Sequence, residues 1–251
     1  MKKILFVSLL MVVAISCTNA QTKKIEGKES VEQNSDKNGF HKQLHNYYYE
    51  VGFYKNGKKD GSWSKYHKTS YKIISVENYT EGKKNGIQIN YSPKTGDIEK
   101  YEYFTDDVKN GPSIMFFKGR KLKEVKNYTK GKLNGEIMKY YSNGALMEKS
   151  NYVNNFKDGK STWYSQSRKR IADFSYKNGK FEGENITYFE NGNKRKIENY
   201  KNNILNGSFA EYYLTGKLKE EGTYKNGDKI GIWKSYDPTG KLKEKKDYPK
   251  K

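Results

Sequence analysis

One glycine recurs through this chain at almost constant intervals. Gly61, Gly86, Gly111, Gly135, Gly159, Gly183, Gly207 and Gly231 are separated by 25, 25, 24, 24, 24, 24 and 24 residues. Eight units in register identify a repeat architecture, in which each unit packs chiefly on its neighbours. Seven residues before each marker glycine stands an aromatic: Tyr54, Tyr79, Phe104, Tyr128, Tyr152, Tyr176, Tyr200 and Tyr224, with Tyr248 opening a ninth unit that the sequence does not complete. Five residues after each marker stands another, from Tyr66, Tyr91 and Phe116 to Tyr236. At 15% aromatic content, about two or three of these 17 places would be filled by chance, and all of them are filled.

The spacing within a unit selects strands over helices. Thirteen residues before the markers the column reads Tyr48, Ile73, Ile98, Leu122, Leu146, Arg170, Lys194, Leu218 and Leu242. Each lies six residues before the first aromatic column, and an even separation predicts one face of an extended strand. Units of 24 residues that carry two or three Gly, Asn or Asp turn signals leave no room for a helix of 10 to 12 residues. Four residues before the markers stand Gly57, Gly82, Asp107, Gly131, Asn155, Gly179, Asn203 and Gly227, the three residue types that enter the left-handed region most readily. A backbone with positive φ accounts for that choice, whereas a ligand site would not treat the three as equivalents. Asn143-Gly144, Asn191-Gly192, Thr215-Gly216 and Thr239-Gly240 supply a second turn.

These signals predict an all-β fold, an elongated single antiparallel sheet of about eight 24-residue β-hairpin repeats. At two strands per unit the strip is on the order of 80 Å long. The marker glycines are expected to serve the chain reversals, and the aromatic columns to stack along one face. Trp63, Ile137, Phe209 and Trp233 stand two residues after their markers, at an odd distance from the next tyrosine. Either both faces carry apolar residues there, or a bulge intervenes.

The N-terminus reads as an export signal. MKKILFVSLLMVVAISCTNAQ places two lysines before a 12-residue apolar run, too short for the roughly 20 residues of a membrane span. Residues 1–20 are therefore expected to be a signal peptide. Cleavage before Cys17, in a lipobox-like tetrad Ala14-Ile15-Ser16-Cys17, would leave a lipid-anchored cysteine; cleavage after Ala20 would leave a soluble chain starting at Gln21. Both outcomes put the protein outside the cytoplasm, in a bacterial cell envelope or beyond it. Residues 21–46 are polar and without periodicity and are expected to form a flexible tether, with the repeat domain at 47–251.

The formal net charge is +20, falling to +18 once residues 1–20 are removed. The lysines are spread through the repeats, as expected of a solvated surface that keeps flat strands soluble, or of one drawn to anionic envelope material. The export signal argues against nucleic acid. Cys17 is the sole cysteine, so a processed chain lacks a disulfide or a thiol nucleophile. His41 and His45 have i, i+4 spacing but no third ligand near them, and His67 stands apart, so no metal site is expected. Lys157-Asp158-Gly159-Lys160-Ser161-Thr162 imitates the end of a phosphate-binding loop, yet Asn154 replaces its first glycine and Gly159 belongs to the repeat. Carboxylates are plentiful, but none forms a pair off the repeat register, so neither catalysis nor a cofactor is expected. Sequons such as Asn127-Tyr128-Thr129 recur because turn and strand recur.

The pattern YKNGK, then G-x-W-x-x-Y, then GKLKEEG-x-YKNG resembles the MORN-repeat family in its bacterial variant form, over residues 47 to 251. The resemblance implies an extended sheet of hairpins used for binding or scaffolding, and many bacterial proteins of this variant are described as antitoxin components of toxin–antitoxin pairs. An exported, non-enzymatic monomer that binds another protein through its sheet is the function expected, with antitoxin or immunity-type neutralisation as its most specific form. The alternative is an envelope module for anionic lipid or polysaccharide. Trp63, Trp163 and Trp233, which depart from their columns, are the candidate contact residues.

Overall fold

The computed structural model describes residues 37–249. Among them is no helix: 20 strands form one antiparallel sheet in which strands adjacent in sequence pair in space. Tyr48–Lys55 pairs with Lys58–His67, which pairs in turn with Ile73–Thr80, and the meander continues to Leu242–Tyr248. Two strands are drawn in two pieces, Lys132–Leu133 with Gly135–Tyr140 and Lys180–Phe181 with Gly183–Tyr188; both pieces pair with the same preceding strand.

The sheet begins earlier than the sequence suggests. Gly39–Leu44 is a strand, paired with Tyr49–Tyr54, so the segment expected to be tether up to residue 46 already belongs to the sheet. Phe40 faces Phe53 across this pair with ring centroids 5.4 Å apart, an aromatic cross-strand contact that a low apolar content masks. Residues 1–36, including the expected signal peptide, Cys17 and most of the expected tether, lie outside the described residues.

Each unit contains two reversals and two bulges. The first reversal is a two-residue turn with positive φ at both centres: Asn56 and Gly57 at 52° and 72°, Asn154 and Asn155 at 50° and 75°, Asn202 and Asn203 at 52° and 70°. This type I′ turn matches strand twist, which is why Asn, Gly and Asp fill the column four residues before the marker. The second reversal in most units has a single left-handed residue, as at Gly144, whose N–H donates to the Tyr141 carbonyl while the Tyr141 N–H donates to the Ala145 carbonyl; the reversal at Gly119 and Arg120 has two.

The marker glycines, expected at the reversals, lie instead inside strands. Val51 pairs with Ser64 and Phe53 with Asp60, so Gly52 stands opposite the three residues 61–63, and Gly61 takes φ 72° within that bulge. The bulge leaves a carbonyl without its ladder partner, and an asparagine supplies one. Asn78, Asn127 and Asn199 each donate a side-chain N–H to the carbonyl one residue past the marker, at 2.6, 2.8 and 2.9 Å. The recurring Asn-Tyr dipeptide is therefore a staple over the bulge.

The second bulge overturns the expected sharing of one face. Lys139 pairs with Glu148 but Tyr140 pairs with Leu146, so Met147 is the extra residue; Ile74, Glu99, Lys123 and Ile171 occupy the same place in other units. The bulge shifts the alternation, and the column at Leu146 joins the face of Tyr140, opposite that of Tyr152. The two tyrosine columns thus line opposite faces.

Candidate interaction surface

The face carrying the first aromatic column covers itself. Successive tyrosines on it are two strands apart, about 10 Å, too far to stack, so a residue from the intervening strand bridges them. Trp63 lies edge-on to Tyr54 at 4.9 Å, Phe181 sits between Tyr176 and Tyr200 at 4.9 and 5.3 Å, and Trp233 sits between Tyr224 and Tyr248 at 5.0 and 6.2 Å. Trp63 and Trp233, expected at a contact surface, are 2% and 3% exposed and donate their indole N–H groups to the carbonyls of Phe53 and Thr223. They are core residues, because Gly52 and Gly222 open the space into which each ring folds. Trp163 is half-buried, under the Lys157 ammonium at 5.0 Å.

A lysine two residues before the marker closes this face. Lys59, Lys157 and Lys229 pair with Glu50, Glu148 and Glu220 at 2.9, 2.6 and 2.8 Å and reach over Trp63, Trp163 and Trp233 at 4.2, 5.0 and 3.7 Å. Their stems shield apolar rings while their charges neutralise the buried Glu50 and Glu148 and the half-buried Glu220. Glu148 is 1% exposed; burial would push its carboxyl up, but Lys139, Lys157 and Ser150 hold it below the ordinary glutamate range. The scattered basic charge is thus partly structural.

The opposite face is less covered. Directly paired positions on six successive strands are Val76, Ile89, Tyr101, Ile114, Val125 and Met138, forming one apolar row across the sheet. Every one of them is half-buried, with part of its side chain reaching solvent. The second aromatic column, as Tyr91, Phe116 and Tyr140, stands two residues from Ile89, Ile114 and Met138 on alternate strands, and on the other side the strands between them carry Asn78, Tyr103 and Asn127. Beyond Met138 the row turns polar at Lys149, Thr162 and Asp173. Asp173 is 2% exposed and saturated, accepting from Thr162 and Tyr188 at 2.9 and 3.0 Å and pairing with Arg170. Ile186, Ile197 and Ala210 then form a second, shorter apolar row.

The three histidines are apart in role: His41 meets the Tyr54 ring, His45 stacks on Tyr48 at 4.3 Å, and His67 accepts from the Ser70 N–H. Among the described residues no group of three or more His, Cys, Asp or Glu side chains could hold a metal ion. The segment Lys157–Thr162 lies within strand Phe156–Tyr164 and is no phosphate-binding loop. A hollow of about 550 Å³ lies beside the second reversals of neighbouring units, lined by Asn90, Lys94, Lys100, Met115, Phe117 and Lys118 among others.

The profile of the MORN repeat variant matches residues 133–154, 181–202, 205–226 and 229–248. The chain carries MORN-variant repeats. Each match begins two residues before a marker glycine, and the first three end on the next type I′ turn, so the MORN unit is the hairpin closed by the second reversal. Repeats of this kind are often protein- or lipid-binding modules. No curated protein matches this chain. Among solved structures, that of TcdB2–TccC3 is similar at 10% identity over 75% of this chain and 13% of that chain, with a TM-score of 0.19, too low to carry a structural argument.

Proposed function

We propose that this MORN-repeat chain is an exported, non-enzymatic binding protein that holds another protein on its sheet outside the cytoplasm. The observation that carries this reading is the half-exposed apolar row from Val76 to Met138 on a sheet that has no second layer among the described residues. An apolar row of this length has a use when another surface covers it. Neutralisation of a toxin, in the manner of an antitoxin or immunity protein, is the most specific form of the proposal. The signal-like residues 1–20 support action in the envelope.

A second reading has its own support. The net charge of +20 suits an anionic lipid or polysaccharide, to which association would weaken steeply with salt. Cross-linking in intact cells with a tagged chain, followed by fractionation, separates the two. A defined protein recovered with the chain in the envelope fraction supports the first; recovery of glycan or lipid alone overturns it.

A further inference from the structure

We propose that the row from Val76 to Met138 is a docking trough for one acidic amphipathic α-helix of a partner protein, laid across the strands. The inference rests on the protein-binding reading above and specifies its site. Six strands at about 4.8 Å spacing give a row roughly 24 Å long, the length of about 16 helical residues. Two residues along the strands stand Phe116 on one flank and Tyr103 on the other, roughly 13 Å apart, with the Tyr101 ring on the floor between them at 5.9 Å from Phe116 and 6.4 Å from Tyr103, and Asn78 and Asn127 beside Tyr103 on its flank. That width accepts a helix of about 10 Å and leaves no unpaired backbone on either partner, because a helix satisfies its own N–H groups.

Charge selects the kind of helix. Residues 73–140 contain 13 Lys or Arg against 9 Asp or Glu. Lys83 and Lys132 are exposed beside the type I′ turns on the trough's own face, where they pair with Thr80 and Thr129. Lys149, also exposed, follows Met138 at the trough's end, where it is paired with Glu136 at 2.7 Å. A helix with leucine-like residues on one side and glutamates on its flanks meets both the apolar row and these lysines. A second copy would bring the same lysines against each other, and the polar break at Lys149, Thr162 and Asp173 limits the helix to the first row.

The test uses the full chain and a fluorescent 16-residue peptide with leucines at i, i+3, i+4 and i+7 and glutamates elsewhere, with a scrambled peptide of the same composition as control. Anisotropy is expected to show saturable binding of the amphipathic peptide alone, weakened at least ten-fold by Ile114→Asp and unchanged by Ile232→Asp outside the trough. If Ile114→Asp unfolds the chain, the exposed pair Lys83→Glu and Lys132→Glu replaces it, with a several-fold loss and an unchanged thermal melt expected. Equal binding of the scrambled peptide, competition by phosphatidylglycerol vesicles, or self-association of the chain at the trough in sedimentation would each overturn the inference. Photo-cross-linkers at Ile114 and at Lys65 on the opposite face distinguish the two proposals in cells. A protein captured only at Lys65 leaves the binding reading standing and removes the trough, whereas none at either position removes both.

Discussion

The Trp233 indole lies flat against the backbone of Gly222, where even a Cβ atom would collide with the ring. Trp63 and Gly52 repeat the relationship at the other end of the sheet. Nine residues before the marker glycine stands Gly only in the two units whose second residue after the marker is Trp; elsewhere the pair is Glu77 with Gln88, Glu102 with Ser113, Lys126 with Ile137, Ser150 with Ser161, Phe174 with Asn185 or Glu198 with Phe209. A facing position without a side chain is what gives each indole room to lie on the neighbouring strand.

Gly222→Ala is accordingly expected to destabilise the chain by about 1–3 kcal/mol although its φ is ordinary, since the ring must move. Combining it with Trp233→Leu should recover part of that loss relative to Trp233→Leu alone. Urea denaturation of the four chains in a double-mutant cycle reads the coupling.

At Gly179, φ is 80° and a Cβ would approach the Phe156 ring at 3.2 Å. The equivalent Asn155 and Asn203 adopt 75° and 70° and accept from the N–H groups of Leu133 and Phe181 in the preceding unit, at 2.7 and 2.6 Å. Gly179→Asn should therefore stay within about 0.5 kcal/mol of the native chain, while Gly179→Val should lose about 1–3 kcal/mol. Thermal melts of the two variants check this ordering.

Glu148 gives a pH signature. Its carboxyl is held low in the fold despite burial, so it contributes stability that is present above the ordinary glutamate pKa and lost as pH falls through the folded value. The difference in denaturant midpoint between the native chain and Glu148→Gln should be largest near neutral pH and shrink on acidification below about pH 4. A constant difference would contradict the ion pairing with Lys139 and Lys157.

Tyrosines act at the other end of the scale. Tyr200 is pushed up to about 12 by burial, the Glu198 charge and its hydrogen bond to that carboxylate; Tyr79 is raised for the same reasons through Glu77. A raised folded pKa means stability intact below the unfolded value of about 10 and lost as pH climbs through the folded one. Alkaline unfolding is expected in that window, together with late tyrosinate absorbance, and Tyr200→Phe should reduce its steepness.

Repeats that contact chiefly their neighbours tolerate loss of a whole unit. Deleting residues 160–183 keeps marker, turn and both bulges in register and should lower the melting temperature less than deleting residues 160–171. Equal damage from both deletions would show a globally cooperative body.

The period, the strand content and the turn column were legible in the sequence because turn chemistry is local: Gly, Asn and Asp four residues before each marker declare positive φ by themselves. Faces were not legible, since one extra residue such as Met147 shifts the alternation only relative to the partner strand. The same limit hid the bulge role of Gly61 and its companions. Two signals do stand in the sequence: the Gly52 and Trp63 exchange, and the apolar columns of Val76, Tyr101 and Val125 with Ile89, Ile114 and Met138 that form the trough. Trp63 and Trp233 looked like contact residues because they broke their columns, when burial against a matched glycine was the cause.

Cross-strand disulfide trapping tests the assignment of the trough most directly. In a Cys17→Ser background, Ile114→Cys with Val125→Cys places two thiols directly opposite on one face, whereas Ile114→Cys with Lys126→Cys places them on opposite faces. Rapid, near-complete oxidation of the first pair and little of the second is the predicted result. Preferential trapping of the second pair would mean another register, and with it the apolar row and its proposed helix would be lost.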